Sequence, residues 1–261
     1  MAANILEIKN NGDTIEIGAD SRNVDYSGSI PNVNNVNGAL ESLQSQVDEV
    51  KESVPTMDVE GVWNSLGDSI TRQDADTNNG YQTKVQQHIK FTSHINSGIN
   101  GTLLAYAISS VQVADYYTCA FGVNDWKGPV TVGSITDFIN KTGTGTFFGA
   151  YRELIDAIYT ANSSAVVILC TPRKAYGYNS QMPEHWYDPI NGRYLKDFAD
   201  AVKEIGEFMS FPVCDWFGES DTNQVNLAAN SIDVALHPNA AGHQKMANLL
   251  VQTFKKVLNC G

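Results

Sequence analysis

From about residue 57 onward, short runs of β-branched and aromatic residues alternate with longer stretches whose apolar residues recur at helical spacing. No other feature constrains the fold as much, because strands separated by helix-length segments pair in parallel, with the helices crossing over the sheet. The spacing predicts strands over residues 59–66, 91–95, 116–121, 165–170 and 211–215. Helices are expected over 81–90, 103–110, 147–160, 194–208 and 239–258. In an α/β sheet of this kind ligands bind at the carboxyl ends of the strands.

The residues with chemistry fall at those ends. Gly67-Asp68-Ser69 follows the first strand, Gly98 and Gly101 follow the second, Gly122-Val123-Asn124-Asp125 follows the third, and His237-Pro238-Asn239 precedes the final helix. Gly-Asp-Ser by itself is also ordinary turn chemistry. In this company it matches what a serine hydrolase needs: a hydroxyl, a base to take its proton, and donors aimed at the oxyanion that forms. Ser69 sits at a strand-to-helix turn, where backbone N–H groups hold negative charge. Asn124 offers a side-chain NH2, Gly101 a backbone N–H with no side chain in the way, and His237 an imidazole on backbone that Pro238 keeps extended.

Two longer loops, 126–145 and 172–193, reach the same end of the sheet, the second rich in Tyr176, Tyr178, His185, Trp186 and Tyr187. Aromatics with polar tips suit the faces of sugar rings, although such loops also serve simply to cap a sheet. Asp68, Trp126, His185 and Trp186 are the expected substrate contacts. His88, His94 and His243 read as surface or packing residues.

Charge narrows the partners. A net charge of −12 and a pI near 4.7 exclude duplex nucleic acid, which needs clustered Lys and Arg, and favour neutral or uncharged polar substrates. Cys119, Cys170 and Cys214 lie inside apolar runs and Cys260 near the end, with no CxxC spacing, so buried free thiols are expected and neither zinc nor a disulfide framework. No apolar run is long enough to cross a bilayer, and Met1-Ala2-Ala3-Asn4 is not followed by the basic and apolar segments of a signal peptide.

The first 55 residues differ in character. Runs at 5–8 and 14–17 around Asn10-Asn11-Gly12-Asp13 read as a hairpin or a pair of edge strands. Val33, Val36, Leu40, Leu43, Val47, Val50 and Val54 then alternate three and four apart, a heptad seam. About three heptads is marginal for an isolated helix, so the seam is expected to pack on copies of itself or on the following domain. Val54-Pro55 ends it, which divides the chain into 1–55 and 56–261. The pattern of Val24-Asp25-Tyr26 followed by this helix resembles the strand-then-helix units of phage tail-fibre and receptor-binding proteins. That resemblance implies a homo-oligomer, with a trimer favoured, formed through residues 30–54, and a place on a phage virion or phage-derived particle. Otherwise the chain is expected to be cytoplasmic.

The second half resembles the SGNH/GDSL hydrolase superfamily over about residues 60–258. Its four blocks stand in order as Gly67-Asp68-Ser69-Ile70, Gly98-Ile99-Asn100-Gly101-Thr102, Gly122-Val123-Asn124-Asp125 and His237-Pro238-Asn239-Ala240-Ala241-Gly242-His243. The resemblance implies a flavodoxin-like three-layer α/β/α fold and metal-free, cofactor-free ester hydrolysis through an acyl-enzyme. It makes Ser69 the nucleophile and His237 the general base, with Gly101, Asn124 and the Ser69 N–H forming the oxyanion hole. The family's orienting Asp lies three residues before the His; here that position is Val234, and Asp233 lies four before. Either Asp233 still reaches the imidazole, the favoured expectation, or a backbone carbonyl orients it. The reading is a serine esterase for O-acyl groups, O-acetyl on a carbohydrate in particular. The alternatives are a lipase-like or thioesterase-like acyl hydrolase and a non-catalytic glycan-binding head.

Overall fold

The computed structural model describes residues 6–10, 13–17, 40–41, 56–175, 187–188, 192–233 and 236–258. The chain falls into two units, Met1–Pro55 and Thr56–Gly261. In the first, β1 (Leu6–Asn10) pairs antiparallel with β2 (Asp13–Ile17), Leu6 opposite Ile17. Of the heptad seam, Leu40 alone lies within the described residues.

The second unit is built on five parallel strands: β3 (Met57–Gly67), β4 (Ile89–Gly98), β5 (Tyr116–Ala120), β6 (Val166–Cys170) and β9 (Val213–Cys214). Their spatial order is β4-β3-β5-β6-β9. Counted along this sheet alone that is 2-1-3-4-5, the flavodoxin-like arrangement. The chain runs from β3 outward to β4 and then back across to β5, so the crevice between the ends of β3 and β5 is where the winding reverses.

Helices cover both faces because the strands are apolar on both sides. In β6, Val167 and Leu169 face one layer while Ile168 and Cys170 face the other. The first layer holds α3 (Leu104–Ala107), α5 (Ile135–Ile139), α6 (Phe147–Ala161) and α7 (Leu195–Met209), with Phe147, Tyr151, Leu154, Phe198 and Val202 in its core. The second holds α1 (Ser69–Thr77), α2 (Tyr81–Gln86) and α9 (Ala240–Leu258), where Trp63, Tyr81, Phe91, Leu250 and Phe254 pack together. Burying each such side chain is worth about 1.5–3 kcal/mol. Two short helices, α4 (Val123–Lys127) and α8 (Trp216–Glu219), follow β5 and β9, and a small ribbon pairs β7 (Tyr187–Asp188) with β8 (Arg193–Tyr194).

Several expected elements have different bounds. The helix after α1 stops at Gln86, and Ile89–Lys90, expected to be helical, pair with Met57 and Asp58 as the start of β4. Strand pairing there overrides local helical spacing. The last strand is two residues long: Pro212 has no N–H for the ladder, and Asp215 is already the cap of α8, its carboxylate accepting the Gly218 N–H. Within the loop expected over 126–145 the chain forms α5, its start tied by the Ser134 N–H donating to Asp137. Cys119, Cys170 and Cys214 are buried free thiols, and Cys260 lies outside the described residues. Among the described residues no helix is long and apolar enough to cross a membrane.

Candidate active site

Three glycines let the strand ends come close enough to share a site. A Cβ on Gly67 would meet Thr71 Oγ1 at 2.0 Å, and one on Gly98 would meet the Arg72 backbone N at 2.3 Å. Gly122 has φ +123, a conformation that side chains disfavour. After Gly67 the chain turns sharply into α1. Asp68 caps that helix, its Oδ1 accepting the Ile70 N–H at 2.9 Å, so Ser69 opens the helix half-buried at its positive end.

His237 reaches Ser69 from the loop before α9. The Ser69 Oγ lies 2.8 Å from His237 Nε2, and His237 Nδ1 lies 2.5 Å from Asp233 Oδ2. A carboxylate only accepts, so Nδ1 carries the proton and the Nε2 lone pair faces the serine hydroxyl. The loop is shaped by its own bonds. The other oxygen of Asp233 accepts the backbone N–H groups of His237 at 2.8 Å and Leu236 at 3.1 Å, and the Ile232 N–H donates to the His237 carbonyl at 2.9 Å. These bonds absorb the extra residue between acid and base, and Asp233, four positions before His237, reaches the ring. Desolvation pushes the Asp233 carboxyl up, but the bonds from the His237 ring and backbone outweigh it and hold the group below its ordinary value. Gln73 Nε2 donates to the Pro238 carbonyl at 3.0 Å and so ties this loop to the helix that begins with Ser69.

Asn124 stands in the first turn of α4, beyond the end of β5, the strand beside β3. Its Nδ2 is buried without a partner among the described residues. A buried amide donor left unpaired is costly, and at a reaction centre it marks a place for an oxygen that arrives with the substrate. The turn is anchored from behind by Asp125, which accepts the Leu104 N–H at 3.1 Å; burial pushes its carboxyl up to about 7. Gly101 has φ +69, is exposed, and has no atom within 4 Å of where a Cβ would stand.

Two expected substrate contacts are buried. Trp126 is fully buried and its Nε1 donates to the Arg193 carbonyl, so it belongs to the core of the first layer and offers no surface to a substrate. Asp68 is 4% exposed and caps α1, so it supports the serine turn, and it also lines a small cavity with Ile70, Phe121 and Val123. Desolvation pushes its carboxyl up to about 6 in spite of the Ile70 bond and the charges of His237 and Lys127. His185 and Trp186 lie outside the described residues. His94 and His243 pack. His94 contacts Ser65 Oγ at 2.9 Å and burial pushes it down to about 4, while His243 accepts the Tyr81 N–H and burial pushes it down to about 3.

Sequence reasoning overlooked two residues that hold the site. Gln73 carried no signal beyond being polar in the first turns of a helix. Arg173 did carry one, a cation three residues past an apolar strand end, and it proves almost fully buried against the His237 loop.

The profile of the GDSL-like Lipase/Acylhydrolase family matches residues 65–245. No curated protein matches the chain by sequence. Several solved structures share the fold. A possible lipase from Chitinophaga pinensis has 23% identity and a TM-score of 0.62, over 76% of this chain and 98% of that one. A protein from Lactobacillus plantarum has 21% identity and a TM-score of 0.63, over 78% and 98%. A lipase/acylhydrolase from Enterococcus faecalis has 17% identity and a TM-score of 0.52, over 75% and 96%. With the matched profile running from just before the Ser69 turn to just past His237, the chain belongs to the GDSL-like lipase/acylhydrolase family.

Proposed function

We propose that this acylhydrolase is a serine esterase that removes short O-acyl groups, O-acetyl in particular, from a carbohydrate. The observation that carries the catalytic part is the aligned relay from Ser69 Oγ through His237 to Asp233, at 2.8 and 2.5 Å. Ser69 Oγ attacks the acyl carbonyl while His237 Nε2 takes its proton. Asn124 Nδ2, the Ser69 N–H and the Gly101 N–H receive the oxyanion. The tetrahedral species collapses, His237 returns the proton to the leaving alkoxide, and an acyl ester of Ser69 remains. Water, deprotonated by the same imidazole, attacks that ester and releases the carboxylic acid and free Ser69. Asp233 holds the ring in the reactive tautomer and stabilises the imidazolium throughout.

The carbohydrate part rests on the aromatic and polar residues of the 172–193 loop, on the acidic net charge, and on the tail-fibre-like character of residues 24–54. In this reading residues 30–54 assemble the chain into a trimer on a phage-derived particle and present the esterase to a surface glycan. Release of acetate from an acetylated polysaccharide, compared with hydrolysis of p-nitrophenyl acetate and of a long-chain ester, tests it with Ser69→Ala as control. Efficient cleavage of long-chain esters without acetate release would favour the lipase-like alternative, and turnover unchanged by Ser69→Ala would refute the mechanism. A mass measurement in solution tests the trimer.

A further inference from the structure

Arg173 stands three residues past Cys170, the last residue of β6, and is 1% exposed. A guanidinium is rarely buried so completely, and its bonded partners are not the carboxylates that usually justify it. Its Nη2 donates to the Asn230 carbonyl at 2.9 Å and to Ser231 Oγ at 3.0 Å, and its Nη1 donates to the Leu236 carbonyl at 3.3 Å. These acceptors lie on both limbs of one loop. Asn230 and Ser231 lead into Asp233, and Leu236 leads out of it into His237. The limbs also meet each other, Ser231 against Pro238 and the Asn239 N–H on the Asn230 carbonyl at 3.1 Å. The planar fork of one Arg therefore grips the neck of the loop that carries both the acid and the base, and fastens it to the end of a central strand.

This loop needs such a grip more than a shorter one would. Its internal bonds set Asp233 against His237, but apart from the Gln73 bond to Pro238 they do not set the pair against Ser69. Ser69 is placed by β3 and α1, on the other side of β5 from β6. Arg173 joins the two halves through the sheet. Deprotonation cannot relieve the cost of the buried cation, because an Arg stays charged: desolvation pushes the group down only to about 10, and Asp233 opposes that fall. The Nε–H is buried without a partner among the described residues, a further cost borne at this position. An apolar side chain of similar length would fill the space without either penalty.

We propose that Arg173 is a positioning residue of the esterase, clamping the Asn230–Leu236 loop so that His237 and Asp233 stay in register with Ser69. The proposal rests on the serine-hydrolase reading of the site, and its test separates the two. Arg173→Met keeps most of the volume and loses every donor, while Arg173→Lys keeps the charge and loses the fork. Both are expected to lower kcat on p-nitrophenyl acetate at least 30-fold with KM within about threefold, Lys recovering only part of the loss. A side chain that only fills space would be replaced adequately by Met.

The second readout does not depend on turnover. The proton between His237 Nδ1 and Asp233 Oδ2, 2.5 Å apart, should give a far-downfield proton NMR line in the wild type, absent in Asp233→Ala. In folded Arg173→Met that line should broaden or vanish. A folded Arg173→Met variant with kcat within twofold of wild type, or with the line unchanged, would overturn the proposal. If Arg173→Met does not fold, Ser231→Ala removes one acceptor and should lower kcat three- to tenfold; unchanged kcat there would overturn it equally. If the wild type hydrolysed no ester, or Ser69→Ala were without effect, the serine-hydrolase reading would fall, and the NMR line would still report whether Arg173 holds the loop.

Discussion

Replacing Asp68 by Asn should stabilise the protein at neutral pH and leave it nearly unchanged in acid. Asp68 is buried at the start of α1, and desolvation raises its carboxyl from 3.8 to about 6. The folded chain therefore binds this proton more tightly than the unfolded chain. Whatever stability the protonated group allows is fully present below about pH 4, is lost as pH rises from about 4 to about 6, and stays lost above that. The gap between the two values corresponds to about 3 kcal/mol at about 1.4 kcal/mol per pH unit. The Ile70 bond and the charges of His237 and Lys127 already act to lower the value, so the figure is net of them. An Asn side chain still accepts the Ile70 N–H and never ionises. Its melting temperature should exceed that of the wild type by roughly 6–12 °C at pH 7.5, at about 2–4 °C per kcal/mol for a domain of this size. At pH 4 the two should converge. His94 and His243, held down to about 4 and about 3, act with the opposite sign, losing stability as pH falls below about 6.5, so the variant-minus-wild-type difference is the quantity to measure. Calorimetry or urea unfolding followed by the buried tryptophans at the two pH values reads it directly. A variant less stable than wild type at pH 7.5, or a difference equal at both pH values, would refute the reasoning.

Asp233→Ala should lower kcat by about 10²–10⁴-fold with KM little changed, since the ring loses its tautomer and its counter-charge; near-complete retention of turnover would mean that a backbone carbonyl orients His237 instead. Asn124→Ala should cost about 10²–10³ in kcat through loss of one oxyanion donor, measured by steady-state kinetics against p-nitrophenyl acetate, and an effect confined to KM would remove Asn124 from that role. Gly122→Ala forces a Cβ onto backbone at φ +123, 3.2 Å from Pro172 Cγ, and should destabilise by about 1–3 kcal/mol in urea titration; a cost under about 0.5 kcal/mol would show that the turn relaxes freely.

What was legible in the sequence follows from how local each determinant is. The parallel α/β sheet could be read because strand-length runs alternate with helix-length amphipathic stretches, and Val167–Cys170 needs no distant partner to announce that it is buried on both faces. The bounds that differ, at Ile89–Lys90 and at Phe211–Asp215, are set by strand pairing and by the Asp215 cap. Ser69 and Asn124 could be named because each follows a glycine at a helix start, and His237 because Pro238 and the start of the final helix follow it. The burial of Asp68 and Trp126, both expected as substrate contacts, is a property of the layers packed on β3 and β5 that no tetrapeptide carries.

The acid–base loop shows the same limit from the other side. By spacing alone, an Asp four residues before the His stands one out of place, and no local pattern says whether the chain can absorb the difference. It does so through four sets of bonds: the Asp233 carboxylate folding back on the Leu236 and His237 N–H groups, the Ser231 to Pro238 bridge, Gln73 from α1, and Arg173 from beyond the end of β6. Each of the four is conformationally unremarkable in its own neighbourhood. Together they hold the His237 end, so that an extra loop residue shifts the sequence spacing and leaves the 2.8 Å contact with Ser69 in place.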